Sequence, residues 1–275
     1  MTTGPALAQR LDDAFADLSP QEKRAADFMR DHLADLAIYN LTEVARLSGV
    51  SKATISRLYR RLGFDGAESL RDHVRALRAA GNPVASDTAA PLGAHVEREL
   101  ANLRAAVSQP GTPAAAEAIA AARRVLVIGF RNSYPVALHL RQQLAQARDA
   151  VELAPLPGQS VGEELASLGP DDLVVLVGFR RRPESFARVV AAVAATGART
   201  ILLTDATGRR HAAGVEFLLE CPVDSVSAFD SYAAASSLVS VLAAAVLGCR
   251  LRDGRERIAT IGNTYAALDE LESLS

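Results

Sequence analysis

Glycines, arginines and serines follow three apolar stretches of the sequence, where they could hold a small ligand together. The candidate ligand-binding residues are Gly129, Arg131, Asn132, Ser133, Gly178, Arg180, Arg181, Arg182, Ser225 and Ser227. Glycine lets the backbone approach a ligand closely, guanidinium groups bind phosphate or carboxylate, and free N–H groups at a helix start favour an anion. We therefore predict a site for a small, hydroxylated anion. The alternative is that the arginines form a solvated loop and the serines only cap helices.

A second set of residues, between positions 41 and 62, could bind DNA. We predict two short helices here: the first is capped by the Thr42 hydroxyl and ends at Gly49, and Ser51 is the N-cap of the second. The second helix then exposes cations, short hydroxyls and a methyl group, which suit insertion into a major groove. The predicted DNA-binding residues are Thr42, Ser51, Lys52, Ala53, Thr54, Ser56, Arg57, Arg60 and Arg61. The alternative is an ordinary helical hairpin whose arginines form a solvated face.

Further helices must hold that pair in place. The segment 19–22, Ser-Pro-Gln-Glu, is a helix-start signal, and apolar residues then recur at helical spacing as far as Leu36. The sequence predicts helices over 5–17, 20–37 and about 66–78, which completes an all-α domain of five helices. The core of this domain is predicted to include Val44, Val50, Ile55 and Leu58.

From residue 124 onward, short apolar runs alternate with helical stretches. Strands are predicted at 124–129, 151–153, 172–177, 200–203 and 217–219, and helices at 92–108, 113–122, 133–146 and 183–196. The tail from about Asp230 is predicted to be helical in two segments, with a break near 252–254. Uninterrupted apolar strands separated by helices indicate an α/β fold with a parallel five-stranded sheet flanked by helices. Because ligands of such sheets bind beyond the carboxyl ends of the strands, the three polar loops are well placed.

Length and charge indicate two domains with different partners. A chain of 275 residues accommodates two cores, and we predict a helix-turn-helix domain over 1–80, a linker over 81–91 and an α/β domain over 92–275. The net charge of −2 hides an asymmetry. Residues 46–78 hold eight Lys and Arg against three acids, whereas residues 1–45 hold four against eight. The basic stretch therefore coincides with the predicted DNA-binding helix.

Several classes of site are disfavoured by the sequence. The five histidines are scattered and the loop at 129 lacks the three-glycine nucleotide pattern, so we predict no metal and no cofactor. Cys221 and Cys249 have no metal-ligand spacing and are predicted to be buried, inert thiols. The first ten residues lack a signal peptide's apolar core, and the longest apolar run, about 238–247, is too short for a bilayer. We therefore expect a cytoplasmic protein without a membrane partner.

The two halves of the chain together resemble the RpiR family of bacterial transcriptional regulators. The first half is similar to that family's helix-turn-helix domain in LSPQEKRAADFM, in LTEVARLSGVSKATISRLYRRLGF and in the ESL that follows. The second half resembles a sugar isomerase (SIS) domain in VLVIGFRNSYPVALHLRQQL, in DDLVVLVGF and in GARTILLTD. The resemblance implies a regulator of carbohydrate or related catabolic genes. Its SIS domain is expected to sense a phosphorylated sugar or similar metabolite and to help the protein form a dimer or tetramer.

One loop departs from the SIS pattern. SIS domains that bind phosphosugars usually carry a serine-rich loop, S-x-S-G-x-T, after the strand that here ends at Val177. This chain has VGFRRRP there, with no hydroxyl before Ser185. The resemblance assigns Ser133 to the effector and Lys52, Ser56, Arg57 and Arg60 to DNA. The arginines of the departing loop could bind an anionic effector, or fill the pocket and leave a pure dimerisation module.

An alternative hypothesis is that the protein is a sugar-phosphate isomerase-type enzyme with an appended helical domain. Proton abstraction beside a carbonyl needs a positioned base, commonly a carboxylate or histidine. The conceivable bases are Glu163, Glu164 and His211. Because none of them lies in a sequence context that differs from a solvated surface, we predict a regulator and not an enzyme.

Overall fold

The computed structural model describes residues 7–33, 36, 39–79, 92–227 and 229–270. The chain divides into two compact units, one of Met1–Val96 with Ser225–Asp230 and one of Glu97–Asp224 with Ser231–Ser275. The predicted linker, 81–91, lies outside the described residues. The predicted domain boundaries therefore stay predictions.

The first unit contains the five helices that the sequence predicts. Their bounds are α1 (Leu7–Phe15), α2 (Pro20–Asp31), α3 (Leu41–Ser48), α4 (Lys52–Arg61) and α5 (Ala67–Ala79). Helix α2 ends six residues before the predicted end at 37, with His32 as its C-cap. Val44, Ile55 and Leu58 are fully buried and Val50 packs against them, so the predicted core of this unit is confirmed.

The second unit is built on a parallel sheet of five strands. The strands are β1 (Val125–Gly129), β2 (Val151–Ala154), β3 (Leu173–Gly178), β4 (Arg199–Thr204) and β5 (Phe217–Glu220). Their order is β2-β1-β3-β4-β5, and every neighbouring pair is parallel. β1 and β3 are buried along their whole length, as continuous apolar runs require when both faces of a sheet are covered.

Helices cover both faces of this sheet. They are α6 (Leu92–Val107), α7 (Thr112–Ala121), α8 (Tyr134–Ala147), α9 (Gly162–Ala166), α10 (Phe186–Ala195) and α11 (Ala233–Cys249). A last helix, α12 (Leu251–Ala267), packs against α8 and α11. Val125 and Val127 face the core formed with α7, α8 and α11, whereas Leu126 and Ile128 face the core formed with α10. The predicted α/β fold class, with a helical first part, is confirmed.

Three predicted helix boundaries in this unit are wrong. Helix α10 begins at Phe186 and not at Pro183, because the Phe186 N–H first closes a turn onto the Pro183 carbonyl. Helix α11 begins at Ala233, so the serine-rich stretch at 225–231 does not open it directly. The break between the last two helices lies at Arg250, and Gly254 is inside α12, where a Cβ would lie 2.4 Å from Leu247 Cδ1. This glycine serves close packing and not a turn.

The two cysteines have different environments. Cys221 is buried, and burial together with the nearby Asp205 carboxylate raises the pKa of its thiol to about 12. Cys249 is exposed, so the prediction that it is buried is wrong. It lies near the end of α11. The apolar composition of α11 predicts burial on every side, but one side of this helix faces solvent. Among the described residues, no single helix is long and apolar enough to cross a membrane.

Candidate DNA-binding surface and effector site

The start of α3 is fixed by Asn40, which is its N-cap. The Asn40 side chain accepts hydrogen bonds from the N–H groups of Thr42 and Glu43, at 2.9 and 3.0 Å, and Glu43 accepts one from the Asn40 N–H at 2.8 Å. This reciprocal arrangement is a capping box. The prediction that Thr42 caps the helix is therefore wrong, and its exposed side chain stays available on the surface.

The turn between α3 and α4 follows the predicted geometry. Gly49 has φ +68°, and its N–H points to the carbonyls of Ala45 and Arg46. A Cβ built on Gly49 would lie 3.1 Å from Nη2 of Arg24, so a guanidinium covers this turn. Ser51 is the N-cap of α4, and its hydroxyl accepts the Thr54 N–H at 3.1 Å. The chain therefore leaves α3 and enters α4 with its free backbone groups largely satisfied.

Helix α4 separates its polar side from its buried side. Lys52, Ala53, Arg57 and Arg60 are exposed and Ser56 is half-buried, whereas Ile55, Leu58 and Tyr59 are buried against the rest of the unit. The four exposed residues and Ser56 form one cationic face, which we call the recognition face: Lys52, Ala53, Ser56, Arg57 and Arg60.

Two further residues that the sequence predicts to bind DNA, Thr54 and Arg61, contact other residues of the unit. Thr54 is only 6% exposed and its hydroxyl lies 2.9 Å from the Ser51 hydroxyl, so it faces the interior. Arg61 Nη1 lies 3.4 Å from the Glu22 carboxylate, although the rest of its side chain is half-exposed. The pKa of Glu22 is lowered, first by hydrogen bonds from Ser19 and then by the charges of Arg61 and Arg57.

The C-terminal end of α4 is supported by Arg10, a residue outside the predicted DNA-binding segment. Arg10, on α1, donates a hydrogen bond of 2.9 Å to the Leu62 carbonyl at the C-cap of α4. Its guanidinium also lies 4.8 Å from the centre of the Phe64 ring. A cation at a helix C-terminus compensates the negative end of the helix dipole. No local sequence signal links residues 52 positions apart, so sequence reasoning could not find this contact.

In the second unit, the loop after β1 brings a buried serine to the carboxyl edge of the sheet. Gly129 ends the strand, and a Cβ there would lie 2.6 Å from that of Ala137, so only glycine fits. Ser133 is 4% exposed and its hydroxyl accepts the Phe179 N–H at 3.0 Å. Arg131 and Asn132, between them, are exposed. The structure therefore joins the loops after β1 and β3 through one hydrogen bond.

The loop after β3 holds one arginine in a buried ion pair. Arg182 Nη1 lies 3.0 Å from Asp205 Oδ1 and 2.7 Å from the Gly178 carbonyl, and its Nη2 lies 2.6 Å from the Thr207 hydroxyl. The side chains of Arg182 and Asp205 are each only 6% exposed. Arg182 is thus tied to the loop after β4 and is not presented to solvent.

The remaining predicted ligand residues differ in their surroundings. Arg180 forms an ion pair of 3.2 Å with Asp224, and Arg181 is half-buried with φ +65°. Ser225 and Ser227 hydrogen-bond to each other at 3.1 Å. These serines lie in the stretch grouped with the first unit, and their part in a common site stays a prediction. A cavity of about 240 Å³ lies at the start of α8, lined by Asn132, Pro135, Val136, Tyr232 and Ser236.

The conceivable catalytic bases have unremarkable environments. Glu163 is exposed, and the pKa of its carboxyl is lowered by its own backbone N–H and by the Ser160 hydroxyl, which makes it a weaker base. Glu164 lies beside it on the five-residue helix α9. His211 packs edge-on against Phe186, and burial, followed by the charges of Arg182 and Arg210, lowers its pKa. Within the described parts of the chain, no group of three His, Cys, Asp or Glu could hold a metal ion.

Two family models match the two halves of this structure. The helix-turn-helix domain of the rpiR family matches residues 6–80, and the SIS domain matches residues 118–245. The chain therefore combines a helix-turn-helix domain of the rpiR family with a SIS domain. The RpiR-type helix-turn-helix and the SIS domain together support a transcription regulator. A comparison with curated proteins finds no significant match.

Solved structures share the fold of this chain. The sugar isomerase domain of the RpiR transcription factor from Sphaerobacter thermophilus is 25% identical, with a TM-score of 0.55 over 64% of this chain and 97% of that one. The Vibrio vulnificus NanR protein complexed with ManNAc-6P is 16% identical, with a TM-score of 0.56 over 95% and 98%. The E. coli CFT073 protein c3406 in complex with A5P is 18% identical, with a TM-score of 0.50 over 62% and 95%.

Proposed function

We propose that this protein is a DNA-binding transcriptional regulator of the RpiR family whose activity is set by a small anionic effector bound to the SIS domain. The observation that carries the DNA-binding part is the recognition face of α4. Its cations and short side chains are exposed, while the opposite side of the helix packs into the unit. A helix with one exposed polar side and one buried apolar side can enter a major groove while the rest of the unit keeps its fold.

The effector proposal is supported by the carboxyl edge of the sheet. There the loops after β1 and β3 bring together glycines that allow close approach, arginines, and the start of α8. The NanR structure contains ManNAc-6P, and the c3406 structure contains A5P. By analogy, the effector of this chain is a phosphorylated sugar or an acidic metabolite, and the regulated genes serve carbohydrate or related catabolism.

The assembly that follows from this function is a dimer acting in the cytoplasm. Two copies would present two recognition helices to successive major-groove faces, with half-sites about one helical turn apart or a multiple of it. Phosphate contacts from Lys52 and Arg60 would make the affinity fall steeply with salt. Analytical ultracentrifugation of the protein, alone and with its selected DNA, measures the assembly directly.

The test of DNA binding is an Arg57→Ala substitution. Operator fragments are first selected from a random DNA pool by the purified wild-type protein. We expect Arg57→Ala to bind them more weakly and to lose about 1–3 kcal/mol of discrimination at one base position, because a bidentate arginine contact contributes that much. Fluorescence anisotropy on the selected site and its single-base variants gives both numbers.

The matched control for this test is Arg188→Ala, an exposed arginine on α10 of the other unit. It removes the same charge and should leave affinity and discrimination unchanged. Undiminished affinity and selectivity in Arg57→Ala would remove the assignment of the recognition face.

The absence of enzymatic activity is part of the proposal. The candidate bases have lowered pKa values or ordinary exposed surroundings, and none is presented as a poised proton acceptor. Turnover of a panel of ketose and aldose phosphates at high enzyme concentration is the check. Product formation that follows the protein through purification would establish the isomerase reading instead.

A further inference from the structure

We propose that Arg131 and Arg181 together form a clamp for one doubly charged oxyanion, either a phosphate monoester or a dicarboxylate. This inference rests on the proposed effector site and names the residues and the ligand class that it uses. It separates these two arginines from Arg180 and Arg182, which have structural partners.

Backbone conformation sets Arg131 and Arg181 apart. Within the described ranges, positive φ values at residues other than glycine occur at Arg131 (+52°), Ala150 (+49°), Arg181 (+65°) and Asp269 (+52°). The left-handed conformation is unfavourable for a residue with a Cβ, and such residues concentrate at ligand sites. Two of the four occur in the two loops that end neighbouring central strands. Glycine would adopt this conformation at a lower cost at both positions.

The sheet places the two loops side by side. Gly129 at the end of β1 pairs in register with Val177 of β3. The hydrogen bond from the Phe179 N–H to the Ser133 hydroxyl then ties the loops together at 3.0 Å. Arg131 lies two residues before one end of this bond, and Arg181 lies two residues after the other. Both arginines therefore lie close in sequence to this hydrogen bond, which we call the junction of the two loops, at the carboxyl edge of the sheet.

The four arginines of these loops differ in whether a carboxylate of the chain neutralises their charge. Arg180 is paired with Asp224 and Arg182 with Asp205, so each of these guanidiniums is neutralised by a carboxylate of the chain. For Arg131 and Arg181, no ion pair or hydrogen bond of the guanidinium is found with any described residue. Two uncompensated positive charges match a ligand group of charge −2.

The chemistry of the junction fits an oxyanion. Guanidinium groups bind the oxygens of phosphate or carboxylate with two parallel hydrogen bonds each. The Ser133 hydroxyl accepts from the Phe179 N–H and keeps its own proton to donate to a ligand oxygen. The two arginines thus take the place of the serine-rich phosphate loop, whose hydroxyl groups are absent from the segment VGFRRRP.

The test uses glycine substitutions, which remove the guanidinium and relieve the left-handed backbone at the same time. Full-length wild type, Arg131→Gly, Arg181→Gly, the double variant and the control Arg188→Ala are titrated by calorimetry with inorganic phosphate, a hexose 6-phosphate, succinate and the uncharged hexose. Loss of the fold cannot explain weaker binding, because glycine is favourable at φ +52° and +65° and thermal melting of each variant verifies it.

We expect wild type and Arg188→Ala to bind an anionic probe and not the uncharged hexose. Each single variant should lose about tenfold or more in affinity, the contribution of a charge-assisted hydrogen bond, and the double variant should lose binding. Preference for the hexose 6-phosphate over succinate identifies a phosphate monoester, and the reverse identifies a dicarboxylate.

Two outcomes overturn the clamp. One is wild-type affinity in the double variant, and the other is the failure of all three anions to bind the wild-type protein. Either result leaves the DNA-binding proposal standing if the same preparations bind the selected operator. Failure of operator binding with intact anion binding would instead remove the regulator and keep the clamp.

Discussion

Arg182 illustrates how the role of one side chain depends on partners that are distant in sequence. Its position in a run of three arginines after a strand predicts a ligand contact, but in the structure it contacts Asp205, Thr207 and the Gly178 carbonyl. The Thr204 hydroxyl also donates to the Gly178 carbonyl, at 2.5 Å. The carboxyl ends of β3 and β4 are therefore bound together by a polar cluster that excludes solvent from the arginine.

Removing one member of the buried ion pair between Arg182 and Asp205 should lower the stability of the second unit. We expect Arg182→Ala to lower the free energy of unfolding of the second unit by about 3–5 kcal/mol, because it leaves the Asp205 carboxylate buried without its partner. Urea denaturation followed by circular dichroism measures the loss. The paired variant Arg182→Met with Asp205→Asn removes both charges but keeps an acceptor for the Thr207 N–H and hydroxyl, and it should cost much less. Equal losses in the single and the paired variant would show that the charge pair is not what holds these loops.

The separate roles of the four loop arginines could not be read from the sequence. Arg180 is paired with Asp224, 44 positions away, and Arg182 with Asp205, 23 positions away. Pairing at such separations is set by which strands become neighbours, and local composition does not contain that order. The glycines were predictable, because Gly129 and Gly178 each end an apolar run where the backbone must approach a helix.

At the scale of elements, the pair α3 and α4 was predicted well because its signals are local. Gly49 and Ser51 each fix a backbone conformation through their own chemistry, and both act as expected. The misassigned cap at Thr42 has a local cause too. Asn40 and Thr42 are both good capping residues, and the sequence does not decide which of them the first turn of α3 uses.

The left-handed turn at Gly49 gives a direct prediction. Gly49→Ala should destabilise the first unit by about 1–2 kcal/mol, the cost of a left-handed conformation for a residue with a Cβ. The added methyl would also meet the Arg24 guanidinium, a flexible group that can move aside. Hydrogen exchange of the α3 and α4 amides at constant pH measures the effect. Gly66→Ala is the control, since nothing lies within 4 Å of a Cβ there, and unchanged exchange in both variants would contradict the prediction.

The capping box of α2 predicts a pH dependence for the first unit. The pKa of Glu22 is lowered from 4.5 in the folded state, chiefly by hydrogen bonds from Ser19. Its carboxylate therefore stabilises the fold at pH values above 4.5, and this contribution is lost as the pH falls through the lowered folded pKa.

Glu22→Gln tests that contribution. The variant should be less stable than wild type by about 1 kcal/mol at neutral pH, and the difference should shrink as the pH is lowered below about 4. Scanning calorimetry across this pH range measures it, with Glu68→Gln, an exposed acid in the first turn of α5, as the control. A difference that stays constant with pH would show that the charge of Glu22 is not involved.

For the whole molecule, the sequence predicted the order of elements better than their ends. All five strands were located within two residues. β1 and β3 were the clearest, because each is a continuous apolar run closed by glycine, whereas β2 contains Glu152 and ends before Pro155. The short helix α9 was not predicted, since five residues offer too little periodicity, and Gly254 was mistaken for a break. Alanine-rich helices such as α7 and α11 pack with small side chains and give a weak amphipathic pattern.

A regulator controlled by an effector must obey reciprocity between its two ligands. If the effector changes the affinity for operator DNA by some factor, the operator must change the affinity for the effector by the same factor, typically about 5- to 150-fold. Anisotropy titrations of the selected operator with and without the saturating anionic probe give the first factor. Calorimetric titrations of that probe with and without saturating operator give the second, and we expect the two to agree. Arg57→Ala should keep the probe affinity of the free protein but lose the shift at DNA concentrations that saturate the wild type. If each ligand binds tightly yet neither affects the other, the protein is not controlled by this effector.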